Sequence, residues 1–458
     1  MPRKHLSIFS AACLLLITLP SAAAWQRIDA TPELVNELFA DTPPDQRPQP
    51  ACSGAPRAVF DDNGAVIGLE PYPTQFSFFV DHDETAGTSI DLLLFLNGGG
   101  ACWNGATCLG SVLTPVSTYL PVFAESVPYL EAASQDLLTD QAGNPTPDAG
   151  GILSRVNGAN PLADATKIFV PYCTGDIHIG SSTHTYTYPL PDGTPVQWTI
   201  QHRGFDNLQV VLRWLQRERE NNLWSIDRAT IAGSSAGGYG AMINSPMIID
   251  ALGDKTRYAL IIDSANGVLT DGFLNEALGE STDDSGVWQA RQNIDDILQP
   301  LLDLNAQQLW PRVVEAVGDA FPHTRISQST AAFDIVQTLF YLFAKKNDDG
   351  SYNPYGTPPS ELEVALTAAL EWSPQARLGM LANAFRLRNY RYYLAAGNPH
   401  MHLIDPLLIP FPTGNYFAED SARGVLYADW LHDMLNNPRR RFGTDWRNLS
   451  CFPRCLAD

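Results

Sequence analysis

Positive charge is scarce in this chain. Lys and Arg number 29 against 50 Asp and Glu, which gives a formal net charge of -21. A chain this acidic is repelled by nucleic acid and by anionic membranes, so we expect no nucleic-acid partner. A polyanionic substrate is disfavoured as well, unless the site carries a local basic patch.

Long apolar runs are also lacking. The run Ile8–Leu19 near the start is too short to span a bilayer. Arg3 and Lys4 precede it and Ala22–Ala24 resembles a cleavage site, so residues 1–24 are predicted to be a secretory signal peptide. No later run approaches membrane length. We therefore expect an exported protein, secreted or periplasmic, with no stable membrane insertion.

Cysteine is infrequent, and an even number remains after the predicted signal peptide. These six residues are Cys52, Cys102, Cys108, Cys173, Cys451 and Cys455. An even count in an exported chain favours disulfides over metal binding or redox chemistry. The spacings suggest the pairs Cys102–Cys108, Cys451–Cys455 and Cys52–Cys173, although six cysteines allow 15 connectivities. No cluster of His and Cys has zinc-ligand spacing, so we expect no metal.

Linkers and internal repeats are absent too, so we expect one large domain over residues 25–458. Short apolar runs alternate with amphipathic helical patterns, one of them carrying Leu208, Val211 and Leu215 on one face. The predicted strands are Ile90–Leu96, Lys167–Tyr172, Ala229–Ala232, Tyr258–Ile262 and Tyr392–Ala396. Strands that are apolar throughout are typical of parallel sheets covered on both faces, and the alternation predicts a doubly wound α/β fold.

Three stretches outside the predicted strands have distinct patterns. Residues 110–160 are rich in Pro, Gly and polar residues and read as a surface excursion. Residues 269–386 are mostly helical in pattern, for example over 294–304 and 361–370, and are expected to form a helical cap insertion. A further amphipathic helix is predicted over residues 425–435.

The most informative motif is Gly233-Ser234-Ser235-Ala236-Gly237-Gly238, which follows an apolar strand and leads into a helical pattern. Strand, G-x-S-x-G and helix together are typical of the nucleophile elbow of α/β-hydrolases. Small residues are needed on both sides because the turn is sharp. The alternative interpretation is an ordinary glycine-rich turn. The motif predicts that Ser235 is a nucleophile, held at a helix N-terminus that favours negative charge.

A serine nucleophile needs a histidine base and an orienting acid. His400 and His402 directly follow the last predicted strand, where such a histidine belongs, and His400 is the stronger candidate. Two acids remain open, because spacing does not separate Asp263, at a strand end, from Asp334, in the expected cap.

Backbone N–H groups must also stabilise the oxyanion of an acyl-transfer reaction. The amide of Ala236 is one candidate, and the loop Asn97-Gly98-Gly99-Gly100-Ala101 offers others, as in the HGGG-type loop of esterases. A simple glycine turn is the alternative. A Cys102–Cys108 bridge would hold this loop rigid.

Three motifs occur in order and jointly resemble the pectin acetylesterase and Notum family of carboxylesterases. They are Leu96-Asn97-Gly98-Gly99-Gly100-Ala101-Cys102-Trp103-Asn104, Pro171-Tyr172-Cys173-Thr174-Gly175-Asp176-Ile177-His178-Ile179-Gly180 and the serine motif. The resemblance implies a serine esterase with a Ser-Asp-His triad on an α/β-hydrolase fold. It also implies the following roles: Ser235 as nucleophile, Asp334 as acid, His400 as base, and Gly100, Ala101 and Ala236 as oxyanion donors. This chain departs from the family at Ala101, where a tryptophan is common, and has Trp103 two residues later.

The resulting prediction is a serine carboxylesterase that removes an acyl group, most simply acetyl, from a carbohydrate or another small ester. Fatty-acyl deacylation is the rival substrate class, and an apolar pocket lined by Phe340, Tyr341 and Phe343 would favour it. A non-catalytic binding protein on a hydrolase scaffold is the rival from another class. A metal at Asp176, His178 and His184 is disfavoured, because the resemblance implies a structural role for Asp176. No cofactor is expected and no oligomeric state is predicted.

Overall fold

A computed structural model describes the chain over residues 25–60, 66–82, 88–110, 150–189, 193–221, 224–253, 255–279, 286–348, 359–404, 417, 421–437 and 446–456. Its strands are β1 (Gln26–Asp29), β2 (Pro56–Phe60), β3 (Val66–Pro71), β4 (Ser77–Asp81), β5 (Ser89–Leu96), β6 (Thr166–Val170), β7 (Ser182–Pro189), β8 (Pro195–His202), β9 (Ser225–Ser234), β10 (Arg257–Asp263), β11 (Arg325–Ala331), β12 (Tyr390–Ala395), β13 (Ser421–Ala422), β14 (Val425–Leu426) and β15 (Leu449–Ser450). The predicted signal peptide lies outside the described residues, as does most of the predicted excursion over 110–160.

The α-helices are α1 (Pro32–Leu38), α2 (Gly204–Glu220), α3 (Ala236–Leu252), α4 (Asp271–Leu278), α5 (Ala306–Ala320), α6 (Ile335–Asp348), α7 (Glu361–Thr367), α8 (Ser373–Arg386) and α9 (Tyr427–Asn436). A short π-helical segment, Ala368–Trp372, joins α7 to α8. Within the described ranges, none of the helices combines the length and apolar character that crossing a membrane requires.

Among the described residues, nine strands form the central sheet, in the order β1-β4-β6-β5-β9-β10-β11-β12-β15. The strands from β6 to β15 in this order run parallel, while β4 pairs antiparallel with both β1 and β6. Hairpins β2–β3, β7–β8 and β13–β14 lie outside this sheet. The architecture is the mostly parallel, helix-flanked sheet expected of an α/β-hydrolase.

Both faces of the sheet are buried, as the apolar strands predicted. Along β5, Leu92, Leu94 and Leu96 contribute to one hydrophobic cluster, while Leu93 and Phe95 contribute to a second. Successive side chains of a strand point to opposite faces, so the two clusters lie on the two sides of the sheet. Helix α2 packs on the first and α9 on the second.

All five predicted strands are present, with bounds shifted by a few residues. The stretch 269–386 contains helices α4 to α8, but it also contains β11, which lies in the middle of the sheet. The predicted helix over 294–304 is wrong, since only the 3-10 turn Gln299–Leu301 forms there. The pattern over 425–435 is divided between strand β14 and helix α9, which begins at Tyr427.

The six cysteines pair as Cys52–Cys173, Cys102–Cys108 and Cys451–Cys455, which is the pairing that the spacings suggested. Each bridge lies beyond the carboxyl end of a sheet strand. Cys173 follows β6 and Cys102 follows β5. The third loop contacts the end of β12, because Gly397 donates its N–H to the carbonyl of Cys455 at 2.8 Å.

A buried group of charged side chains joins β4 to β6 at the end of the sheet opposite the disulfides. Arg155 donates to Asp81 Oδ2 at 2.6 Å, and Lys167 Nζ lies 3.7 Å from the same oxygen. Lys167 also donates to the carbonyl of Ala163 at 2.8 Å. Burial, with the nearby Arg155 charge, lowers the pKa of Lys167 to about 7.

Asp81→Asn is expected to lower the free energy of unfolding by about 3–5 kcal/mol, because it leaves buried cations without their carboxylate. Urea denaturation measures the change. Asp91→Asn is the matched control, since the Asp91–Arg228 pair is one-third exposed and is worth only about 0–1 kcal/mol. Equal losses in the two variants would contradict this interpretation of the Asp81 group.

Candidate active site

The carboxyl ends of the central strands lie side by side. Leu96 of β5 pairs with Gly233, Ser234 with Asp263, and Asp263 with Ser329 of β11. The turns that leave these strands therefore meet at one edge of the sheet, where ligands bind in open α/β folds.

Ser235 occupies a sharp turn between β9 and α3. Its backbone angles are φ 54° and ψ -126°, a strained conformation for a residue with a side chain. Its N–H donates to the carbonyl of Asp263 at 2.8 Å. A side chain on Gly237 would collide with the Leu96 carbonyl, and one on Gly233 would collide with Gly237. Backbone approach thus explains why glycine flanks the serine, and the turn has the geometry that a nucleophile elbow requires.

The glycine loop after β5 packs directly against this turn. A Cβ on Gly98 would lie 2.8 Å from Cβ of Ser235, so only glycine allows this approach. Gly100 adopts φ 83°. Gly100, Ala101 and Ala236 line the same pocket as Ser235, and the Ala236 amide belongs to the first turn of α3, where helical N–H groups have no partner within the helix.

His178 supports the glycine loop from behind, a role that the sequence did not indicate. His178 Nε2 lies 2.9 Å from the carbonyl oxygen of Asn97, and the His178 carbonyl accepts from Asn244 of α3 at 3.1 Å. Ile177 and His178 both have positive φ, at 50° and 63°. Asp176 stabilises this turn by accepting from the amides of His178 and Gly204 at 3.1 and 2.7 Å.

The Asp176 group is a structural network rather than a free ligand set. Burial raises the pKa of Asp176 to about 6, and its oxygens are occupied by protein donors, including Thr174 at 2.6 Å. Elsewhere in the described residues, Cys102, Cys108 and His202 lie close enough to share a metal. The two sulfurs form a disulfide, so they are not thiolate ligands.

Asp334 and His400 form a buried pair. His400 Nδ1 lies 2.9 Å from both carboxylate oxygens of Asp334. Gln337, which the sequence analysis missed, donates to the same carboxylate through its backbone N–H at 3.0 Å and its side chain at 2.8 Å. It also lines the pocket that contains Ser235.

Asp263 and His402 form a second pair next to the first. Asp263 accepts from the backbone amides of His402 and Leu403 at 2.6 and 3.0 Å, and from Ser234 Oγ at 3.0 Å. His402 Nδ1 lies 3.2 Å from the other carboxylate oxygen. Burial would raise the pKa of Asp263, but the hydrogen bonds and charge of His402 and the Leu403 amide outweigh it and lower that pKa.

One pocket opens at Ser235. Its enclosed volume is about 70 Å³, and it widens to about 660 Å³ when the open mouth is included. Its walls are mostly apolar and include Trp103, Phe340 and Tyr341. Phe343, also expected there, is buried elsewhere in the hydrophobic core. Trp103 thus supplies an aromatic wall although the position after the glycines is Ala101.

Similarity to known proteins agrees with this arrangement. The pectinacetylesterase family model matches residues 75–271, which include the glycine loop and Ser235. Over that part, the chain is similar to the pectinacetylesterase family. The match ends before Asp334 and His400.

Two relatives from Xenopus laevis carry the family name Notum. The palmitoleoyl-protein carboxylesterase notum1 is 30% identical over 122 residues, covering 25% of this chain and 21% of that protein. The palmitoleoyl-protein carboxylesterase notum1' is 28% identical over 124 residues, covering 26% of this chain and 22% of that protein. The aligned part spans about a fifth of each relative.

Acid should destabilise this protein between pH 6.5 and 4. Burial lowers the pKa of His178 to about 4 and that of His202 to about 3. Below pH 6.5 the unfolded chain binds these protons and the folded chain does not, so stability falls with pH. Burial also raises the pKa of Asp176 and of Asp206, which opposes this loss, whereas burial lowers the pKa of His184, which adds to it.

The test is the melting temperature measured from pH 7.5 to 4. His202→Gln should flatten its dependence on pH, whereas His432→Gln, at an exposed position of α9, should leave it unchanged. A wild-type melting temperature that rises toward pH 4 would contradict the assignment of neutral buried histidines.

Proposed function

We propose that the protein is an exported serine carboxylesterase with Ser235 as nucleophile, His400 as base and Asp334 as orienting acid. One observation carries the proposal. A single apolar pocket brings the strained serine together with the glycine loop and with Gln337, the residue that holds the Asp334–His400 pair. Three disulfides support export to an oxidising compartment.

The proposed reaction follows from the hydrogen bonds of the pair. Asp334 accepts a hydrogen bond from the Nδ1–H group of His400, so Nε2 carries no proton and can act as a base. Nε2 takes the Ser235 proton as Oγ attacks the acyl carbon, and later gives it to the leaving alcohol. Water, deprotonated by the same nitrogen, then attacks the acyl carbon. The bond to Ser235 Oγ breaks, Oγ takes the proton back from Nε2, and the carboxylic acid is released.

Charge on the tetrahedral intermediate would be met by the amides of Ala236, Gly100 and Ala101. Removing one donor of this kind typically lowers kcat by a factor of about 10²–10³. Their rigidity matters, because donors aimed in advance need no reorganisation during reaction. The Cys102–Cys108 bridge and the His178–Asn97 bond would supply that rigidity.

The acyl group has two candidates. An acetyl ester is the simpler one and agrees with the family name. A longer acyl chain is favoured by the pocket itself, because Phe340, Tyr341 and Trp372 give it an extended apolar wall. The alcohol component would be a carbohydrate or another small alcohol. The proposed chemistry needs no metal or organic cofactor.

Ser235→Ala should lower hydrolysis of p-nitrophenyl acetate and butyrate by at least about 10³, since a triad without its nucleophile keeps only the oxyanion donors and binding. Ser225→Ala, at the exposed opposite end of β9, is the control and should retain full activity. Equal turnover by wild type and Ser235→Ala would refute the proposal and favour a binding protein on a hydrolase scaffold.

Asp334→Asn and Asp263→Asn should separate the two acids. Asp334→Asn is expected to reduce kcat by about 10⁴ with little change in KM, because the imidazole would adopt the wrong tautomer. Asp263→Asn should mainly lower the melting temperature, because it weakens a buried network. Activity would be compared at a temperature where circular dichroism shows both variants folded. Loss of activity in Asp263→Asn alone would reverse the assignment.

A further inference from the structure

A second cavity lies directly behind the pocket of Ser235. The two share four wall residues, Ile177, Tyr239, Leu269 and Phe273. The remaining lining of the rear cavity is apolar, with Leu278, Ile294, Leu298 and Leu302 among its members. Apolar space next to a site for an acyl ester is where additional methylene groups would be accommodated.

The wall between the cavities is held rigidly from several sides. The Phe273 ring packs edge-on against Trp103 at 4.8 Å and against Trp288 at 5.7 Å. Its backbone N–H donates to the N-cap hydroxyl of Thr270 at 3.2 Å, which fixes the start of α4. Two neighbouring aromatic rings and a helix cap therefore determine the position of this side chain.

Two of the other wall residues, Tyr239 and Ile177, are fixed as well. Tyr239 packs edge-on against Trp310 at 4.6 Å and its hydroxyl accepts from the Gly267 amide at 2.8 Å. Ile177 has φ 50°, a conformation that is strained for a β-branched residue. Its N–H donates to the Tyr172 hydroxyl at 2.9 Å. A wall built this way does not swing aside for a longer chain.

We propose that Ile177 and Phe273 determine acyl-chain length, by closing the Ser235 pocket against the apolar rear cavity. This inference rests on the proposed esterase function. It specifies the substrate class as esters whose acyl chain ends at this wall. Removing either side chain joins the two spaces, and longer chains then become substrates. Each methylene that enters apolar space contributes about a fourfold gain, so two further methylenes raise specificity at least tenfold.

Phe273→Ala and Ile177→Gly are the two test variants. Phe273→Ala removes an aromatic wall side chain but leaves a cavity that can lower stability. Ile177→Gly opens the same wall while relieving strain, because glycine readily adopts positive φ, so it guards against loss of folding. Leu278→Ala is the matched control. It enlarges the rear cavity without opening the wall.

The measurement is kcat/KM on p-nitrophenyl esters of two, four, eight and ten carbons. We expect the ratio of decanoate to butyrate to rise at least tenfold in both wall variants and to stay within twofold of wild type in Leu278→Ala. Unchanged ratios in folded, acetate-active wall variants would overturn the proposal. An equal rise in Leu278→Ala would overturn it too.

Binding separates this inference from the esterase proposal. In the Ser235→Ala background, isothermal titration calorimetry with hexanoate and dodecanoate measures chain length without catalysis. Adding Phe273→Ala or Ile177→Gly should strengthen binding of dodecanoate relative to hexanoate at least tenfold. If wild type and Ser235→Ala turn over esters equally, the esterase proposal fails while this binding ratio still decides the role of the wall. No change in the ratio would refute that role.

Discussion

The carboxylate of Asp263 is the interaction on which the arrangement of this edge depends. It accepts hydrogen bonds from Ser234 of β9, from Ser329 of β11 and from the amides of His402 and Leu403 after β12. Hydrogen bonds to this one buried carboxylate thereby connect the ends of four neighbouring strands. A charge without exposure to water is tolerated only when its partners are this complete. The serine turn and the histidine loop consequently keep a fixed separation, which the proposed base and nucleophile require.

The sequence predicted those parts of the fold whose cause is local. Apolar runs gave the five strands, and the small residues around Ser235 gave the turn, because a turn this sharp leaves no other choice. Strand β11, Arg-Ile-Ser-Gln-Ser-Thr-Ala, was missed because its inward side chains are polar. Gln328 donates to the Ala265 carbonyl, and Ser329 donates to Asp263. Such a strand is stabilised by hydrogen-bond partners that are distant in sequence. Hydrophobic periodicity therefore does not predict it.

The candidate site shows the same limit more sharply. Two acids and two histidines were foreseen, but their spacing left the pairing open. In the fold each acid takes one histidine, Asp334 with His400 across 66 residues and Asp263 with His402 across 139. His178 and the Asn97 carbonyl that it contacts are 81 residues apart in sequence. No local sequence pattern indicates this contact. Only the resemblance to a family favoured Asp334, since proximity is created by the sheet order and not by the chain.

All three disulfides lie at the end of the sheet that carries the glycine loop and the histidine loop, and none of the bridges lies at the Lys167 end. Folding and function are therefore supported by different means in different halves of the molecule. The strands of the central sheet contain none of the six cysteines. The Cys102–Cys108 bridge, in contrast, adjoins Ala101 and Trp103, which line the pocket. In a reducing compartment, the chain would keep much of its secondary structure, but the loops around the pocket would be less rigid. Circular dichroism would then detect the folded sheet and helices without detecting the change at the pocket.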